Sequence, residues 1–271
     1  MAEFYRLKRA KKLLSHFGVM ALDLIFPVEC FGCGAEGKWI CDQCLKGLPY
    51  KENQYCLECK KPNRFGEFCP ECQKNYYLDG VLIAGDYEYE LLSRAIKNIK
   101  YRLIKAAAED LGKYLAAFLV NEINKLKVDS LDLKKGKIWE KLEDAKEAPG
   151  IFLNLRQAII IPVPLFFRRE RSRGFNQAEV IAETVSRQLS VSIEKRLLIR
   201  HKPTAPQAKL GEEDRRKNVI GCFKWIGQSL NGTGVILIDD VATTGSTLNE
   251  CAKVLKENGA GEVFGLVVAK G

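Results

Sequence analysis

Residues 235–247 read Val-Ile-Leu-Ile-Asp-Asp-Val-Ala-Thr-Thr-Gly-Ser-Thr, and this run restricts the fold more than any other part of the chain. Four successive apolar residues suit a strand covered on both faces, as in parallel sheets. Asp239 and Asp240 then stand at its carboxyl end. A hydroxyl- and glycine-rich turn follows and feeds residues 246–258, whose apolar spacing is helical. Open α/β sheets bind ligands outside the carboxyl ends of their strands. A turn entering a helix offers unpaired N–H groups to an anion. Gly245 permits a bend that a Cβ would obstruct, while Thr243, Thr244, Ser246 and Thr247 add hydroxyl donors. Carboxylates cannot hold a phosphate, but they accept hydrogen bonds from two neighbouring hydroxyls. The segment therefore fits a phosphorylated sugar, with acids on the diol and the turn on the phosphate. An ordinary acidic strand end and a magnesium-binding pair are the alternative readings.

Cysteine spacing sets a second constraint. Eight of the ten cysteines form four Cys-x-x-Cys pairs: Cys30/Cys33, Cys41/Cys44, Cys56/Cys59 and Cys69/Cys72. Two residues between thiolates let a knuckle turn aim both sulfurs at one ion, so four pairs match two structural Zn2+ sites. Sequential pairing, first two knuckles and last two, is preferred over an interleaved one, although spacing alone does not separate them. Disulfides and an iron–sulfur cluster are the weaker alternatives. Residues 29–78 are poor in apolar side chains, so metal would supply their folding energy. Cys222 and Cys251 stand alone and read as buried packing residues.

The coarse organisation follows. Residues 1–28 read as a basic helical segment, residues 29–78 as a double zinc ribbon, and residues 79–271 as one α/β domain. Strands are expected at 81–89, 158–164, 195–199, 219–225, from Val235 to the carboxylate pair, and at 262–269. Helices are expected at 91–99, 106–126, 176–190 and 246–258. Residues 127–156 read as an insertion remote from the chemistry. Strands alternating with helices predict a mainly parallel sheet flanked by helices. No secretory signal is evident. The longest strongly apolar run, Val19 to Phe26, falls short of a bilayer span and contains Asp23. A cytoplasmic location is expected. The basic N-terminus is read as packing on the zinc module or loosely ordered, with peripheral contact at the inner membrane the alternative.

The 271-residue chain carries a net charge of +9, and residues 156–218 hold fourteen Lys/Arg against seven Asp/Glu. Such a bias suits nucleic acid or a multiply phosphorylated small molecule. Within it lies Pro162-Val-Pro-Leu-Phe-Phe-Arg-Arg-Glu-Arg-Ser-Arg-Gly-Phe-Asn-Gln177. Arg168, Arg169, Arg171 and Arg173 follow a buried strand, and guanidinium forks bind phosphate oxygens bidentately. One or two of the four are expected to point inward. Asn176 reads equally as a helix N-cap. Residues 204–219 form a charged stretch suited to covering a site that must exclude water. No Ser/His/Asp or Cys/His nucleophile set is evident, and His201 reads as loop polarity.

Residues 235–247 resemble the binding motif for 5-phosphoribosyl-1-pyrophosphate (PRPP) in type I phosphoribosyltransferases. That resemblance implies that Asp239 and Asp240 accept from the ribose hydroxyls. It also implies that Val241, Ala242, Thr243, Thr244, Gly245, Ser246 and Thr247 form the phosphate side of the site. The three elements in this order, behind four cysteine knuckles, resemble the ComF family of competence-related phosphoribosyltransferase-like proteins. The likeness covers about residues 19–126 and 158–270 and is most specific at Pro162–Pro164, Arg171–Gln177, Gln207, Arg215–Val219 and Asp239–Thr247. Two positions depart from it. Phe166 stands where the family often has histidine, and Leu103 where its Lys-Tyr-x-Gly has glycine. The resemblance implies displacement at the ribose C1 of PRPP, with Mg2+ and an unidentified acceptor. Catalytic roles would fall to Asp239, Asp240, Arg171 and Arg173, with Arg168 and Arg169 also on the pyrophosphate and Gln207, Arg215 and Arg216 in a flexible loop. It also implies a link to uptake of single-stranded DNA and to competence-machinery proteins. The rival reading is a non-catalytic PRPP- or nucleotide-sensing module that binds single-stranded DNA, with Phe166, Phe167 and Phe175 as stacking candidates. A homodimer is left open.

Overall fold

Five strands line up in parallel, and the four longer ones run largely apolar because they are covered on both faces. The computed structural model describes residues 28–125, 149–204 and 211–271. The expected N-terminal helix, most of the expected insertion and Gln207 lie outside them. The strands are β3 (Gly80–Asp86), β4 (Ile159–Pro162), β5 (Ser192–Ile193), β8 (Val235–Ala242) and β9 (Val263–Lys270). Their order across the sheet is β3-β9-β8-β4-β5, and every neighbouring pair is parallel. The remaining strands form two antiparallel pairs: β1 (Gln54–Tyr55) with β2 (Pro62–Asn63), and β6 (Leu198–Arg200) with β7 (Phe223–Trp225).

Helices cover both faces. On one, α4 (Lys105–Asn124) packs against α7 (Gln177–Leu189), closely enough that a Cβ on Gly112 would lie 2.6 Å from the Thr184 Cβ. The helix α3 (Glu90–Tyr101) precedes α4 and buries Leu92, Ile96 and Ile99. On the other face, Leu248, Cys251, Ala252 and Leu255 of α9 (Ser246–Glu257) join Val235, Leu237, Val263 and Val267 of the sheet in one core. Cys222 shares that core, so both lone cysteines are buried as their isolation suggested. Short helices α1 (Asp42–Lys46) and α2 (Pro70–Gln73) lie within the second knuckle of each quartet, with Cys41 and Cys69 as N-caps, and α5 (Gly150–Leu153), α6 (Phe167–Arg173) and α8 (Glu212–Val219) complete the described set. Phe152 of α5 is buried and stacks on Phe65 at 5.8 Å, so the last part of the expected insertion is packed into the core. Among the described residues, no helix is long and apolar enough to cross a membrane.

By contacts the chain divides into two units, Met1–Gly47 and Leu48–Gly271. The described part of the first unit is the Cys30–Cys44 knuckle pair, with Phe31 against Trp39 at 5.4 Å. In the second unit residues 51–68 run along the open edge of β3 and occupy its backbone groups. Val81 N–H donates to Gly66 O at 2.9 Å, and Lys51 N–H donates to Ala84 O at 2.8 Å. The Gln54 side chain completes the cover. Its Nε2 donates to Ile83 O and its Oε1 accepts from Ile83 N, both at 3.0 Å, with the side chain 2 % exposed. An unpaired edge strand invites association, and covering it is one remedy.

Gln54→Ala strips the buried Ile83 amide and carbonyl of their partner. We expect a loss of roughly 2–4 kcal/mol in urea unfolding, because each stranded polar group costs about 1–3 kcal/mol. The exposed neighbour variant Glu52→Ala should stay within about 0.5 kcal/mol of the parent.

Candidate anion site at the sheet crevice

Strand connections reverse between β4 and β8. From β4 the chain crosses outward to β5, and from β8 it crosses through α9 to β9 in the opposite direction. A crevice opens at the carboxyl ends of strands so arranged, and ligands of open α/β sheets bind there. β4 ends at Pro162, opposite Ile238, whereas β8 runs on to Ala242 beside β9. Asp239 and Asp240 therefore sit just where their neighbour on one side has stopped. Strand alternation sends them to opposite faces. Asp240 lies toward α3 and Asp239 toward Cys251 of α9, and both line one cavity of about 470 Å3.

Asp240 is 4 % exposed, and its Oδ2 is 2.9 Å from Lys100 Nζ in the last turn of α3. That contact is an ion pair without an aligned hydrogen bond, which leaves Oδ2 open to a further donor. Asp239 Oδ1 accepts from the Asp240 backbone N–H at 2.8 Å. Burial, and then the adjacent Asp240 charge, push the Asp239 carboxyl well above the usual carboxylate range, with Lys100 opposing. Burial works against the Lys100 charge, but Asp240 and Asp239 outweigh it and raise the ammonium above its ordinary value.

The cationic wall comes from α6 and β6. Helix α6 has no side-chain cap and ends at Gly174 in the left-handed region (φ 75°). Its phase turns Arg168, Arg169, Ser172 and Arg173 to the cavity, and Arg200 at the end of β6 joins them. Arg169 Nη2 donates to Thr204 O at 3.1 Å, and Arg173 Nη1 donates to Gln177 Oε1 at 3.0 Å. Burial, and then the charges of Arg200 and Arg173, hold the Arg169 guanidinium below its ordinary value. Arg200 donates through Nη2 to Thr204 Oγ1, while its buried Nε has no partner. A crowd of like charges with an unfilled donor favours an anion. Asn176 caps α7, accepting from Ala178 N at 3.1 Å, and its Nδ2 donates to Val163 O at 3.0 Å, tying the start of α7 to the residue after β4.

The turn after β8 adjoins this cavity through a water-sized hollow of about 30 Å3 lined by residues 241–248 together with Asp239. Gly245 adopts φ 73° and starts α9. Thr244 Oγ1 and Ser246 Oγ lie 2.5 Å apart across it. Ser246 N–H donates to Thr244 Oγ1 at 3.4 Å, so the first turn of α9 starts against this hollow.

Other expected residues lie elsewhere. Arg171 is exposed and off the cavity face of α6. Arg216 pairs with Glu58 at 2.7 Å, away from the crevice wall. Arg215 lies in α8. Phe167 is 60 % exposed beneath the Arg168 guanidinium, 5.8 Å from the ring centre. His201 is an exposed loop residue whose backbone N–H donates to Cys222 O. Neither Arg200 nor Lys100 was among the expected site residues, and a lone arginine ending a three-residue strand carries no local signal.

The cysteines gather as two sequential quartets, Cys30/Cys33/Cys41/Cys44 and Cys56/Cys59/Cys69/Cys72, with all sulfurs of a quartet within 4.8 Å of one another. Cys33 and Cys41 Sγ are 3.7 Å apart, and Cys59 and Cys69 Sγ 3.6 Å. Tetrahedral Zn–S bonds of about 2.3 Å require sulfurs about 3.8 Å apart. Cys41 N–H donates to Cys30 Sγ at 3.3 Å, as suits a thiolate. Both quartets fit structural zinc.

Comparison with known proteins agrees. The double zinc ribbon domain family matches residues 21–73. "Competence protein F" of Haemophilus influenzae is 30 % identical over 241 residues, covering 82 % of this chain and 93 % of that protein. The chain belongs to the competence protein F/ComFC family. "DNA utilization protein YhgH" of Escherichia coli (strain K12) is 36 % identical over 246 residues, covering 89 % of this chain and 96 % of its own. "Competence protein ComFC" of Bacillus subtilis (strain 168) is 37 % identical over 101 residues, covering 37 % of this chain and 39 % of its own. The family assignment rests on the Haemophilus and Escherichia relatives, which cover most of both chains.

The Asp239 environment has a pH signature. A carboxyl raised on folding holds its proton more tightly in the folded state, so that contribution is present at low pH and is lost as pH rises through the folded value. The thermal midpoint of the zinc-loaded protein should fall between pH 6 and 8, and Asp239→Asn should flatten that fall. Equal slopes in differential scanning fluorimetry would contradict the burial described.

Proposed function

We propose that this member of the ComFC family binds Mg2+–PRPP in the crevice between β4 and β8 and transfers its phosphoribosyl group to an acceptor. One cavity that joins two carboxylates to Arg168, Arg169, Arg173 and Arg200, beside a helix-start turn, carries this reading. The 5′-phosphate would take the amides and hydroxyls of Thr243–Thr247. The ribose diol would donate to Asp239 and Asp240, with Lys100 holding the Asp240 carboxylate in place. Arg169, Arg173 and Arg200 would receive the pyrophosphate. As the glycosidic bond breaks, charge grows on that leaving group, and fixed guanidinium donors stabilise it most at that moment. Mg2+ would arrive with the ligand oxygens and offset part of the same charge. Nothing in this chemistry needs a covalent enzyme intermediate, in keeping with the lack of a nucleophile set.

The names of the relatives, competence and DNA utilization, support placing the activity in the handling of incoming DNA. A second reading, a PRPP sensor that holds single-stranded DNA, draws on the exposed Phe167 under Arg168 and on Tyr101, 75 % exposed at the cavity.

Asp240→Asn should weaken Mg2+–PRPP binding at least about tenfold in titration calorimetry, as loss of a buried charged acceptor implies, while leaving the fold intact by circular dichroism. Unchanged affinity would remove the diol assignment. Pyrophosphate release across a panel of nucleobases and amines separates the two readings. Release with one acceptor supports transfer, and salt-sensitive oligonucleotide binding without release supports the sensor.

A further inference from the structure

We infer that the second cysteine quartet is a positioning element for the anion turn, acting through Leu57. Leu57 lies between the ligand candidates Cys56 and Cys59 and is buried. Its Cδ2 comes within 2.5 Å of where a Cβ on Gly245 would stand, so the knuckle tip presses directly on the residue that starts α9. Gly245 is held at φ 73°, a conformation that a glycine leaves easily unless something backs it.

Two further ties hold the same knuckles, one to α9 and one to α8. Asn249 Oδ1, one turn into α9, accepts from the backbone N–H groups of Tyr77 at 2.8 Å and Leu78 at 3.2 Å, just past the Cys69/Cys72 pair. Glu58 Oε2 takes Arg216 Nη2 of α8 at 2.7 Å and the Tyr76 hydroxyl at 2.5 Å. Cys56, Leu57, Phe68, Leu248 and Cys251 belong to one continuous core. The turn thus has a metal knuckle on its back and the crevice on its front. The ion fixes the knuckle, the knuckle fixes Gly245, and Gly245 aims the amides of Ser246 and Thr247. The first quartet belongs to the other unit. Leu57 is a positioning residue, since it meets no ligand itself.

That these amides serve a phosphate rests on the function proposed above. The mechanical coupling does not, and amide hydrogen exchange of the full chain reads it without any ligand. Each of Cys59→Ser and Cys33→Ser should lower bound zinc from two ions to one per chain, measured by mass spectrometry under native conditions. Exchange in segment 243–249 should rise at least about tenfold in Cys59→Ser and stay at the parent rate in Cys33→Ser, with β9 peptides as the reference for global unfolding. Leu57→Ala, which keeps both ions, should raise exchange in the same segment and decides the matter if Cys59→Ser fails to fold. Mg2+–PRPP affinity should fall in step with the exchange. Parent-like exchange in Leu57→Ala, or an equal rise in Cys33→Ser, overturns the inference. A parent protein that does not bind PRPP overturns the proposed function alone.

Discussion

Two adjacent carboxylates are held at the end of a strand buried on both faces, beside a single lysine. Keeping a charge there is expensive unless a partner sits close by. Lys100 meets only one of the two acids, at 2.9 Å, and Asp239 responds by holding its proton more tightly. Across the cavity, Arg169, Arg173 and Arg200 lie near one another with little to neutralise them. A polyanion bearing hydroxyls relieves both strains at once. It supplies donors to the acids and negative charge to the arginines, which is why the crevice reads as a site for a phosphorylated sugar.

The position of this pair depends on the sheet, and the sheet depends on its covered edge. β3 would be an open template without Gln54, Gly66 and Lys51 along its edge. Gly66 lies between the two knuckles of the second quartet, and Lys51 and Gln54 lead into them. The second cysteine segment is thus packed as part of the α/β unit, and its Leu57 also reaches the turn after β8.

Much of this was legible in the residues. A strand buried on both faces has to be apolar throughout, so Val235–Ile238 announced itself, and the break to Asp239 marked the carboxyl end. Thiolate geometry imposes fixed spacing, so the two quartets were readable and their sequential pairing held. Arg200 was not readable, because one arginine at the end of a three-residue strand looks like surface. Lys100 had the pattern of a solvated helical charge until α3 was docked against β8. No helix was expected over the arginine segment. Its helical phase, which turns Arg169 and Arg173 inward and Arg171 out, follows from a helix that no capping side chain advertised. Gln54 carries no signature at all, since its value depends on which strand it lies beside.

The crystal structure of the protein with Mg2+–PRPP tests the central claim most directly. The account predicts the 5-phosphoryl group against the amides of residues 243–247, the ribose hydroxyls within hydrogen-bond distance of Asp239 and Asp240, and the pyrophosphate toward Arg169 and Arg173. Phosphoryl density elsewhere, with the carboxylate pair still closed on Lys100 alone, would contradict it.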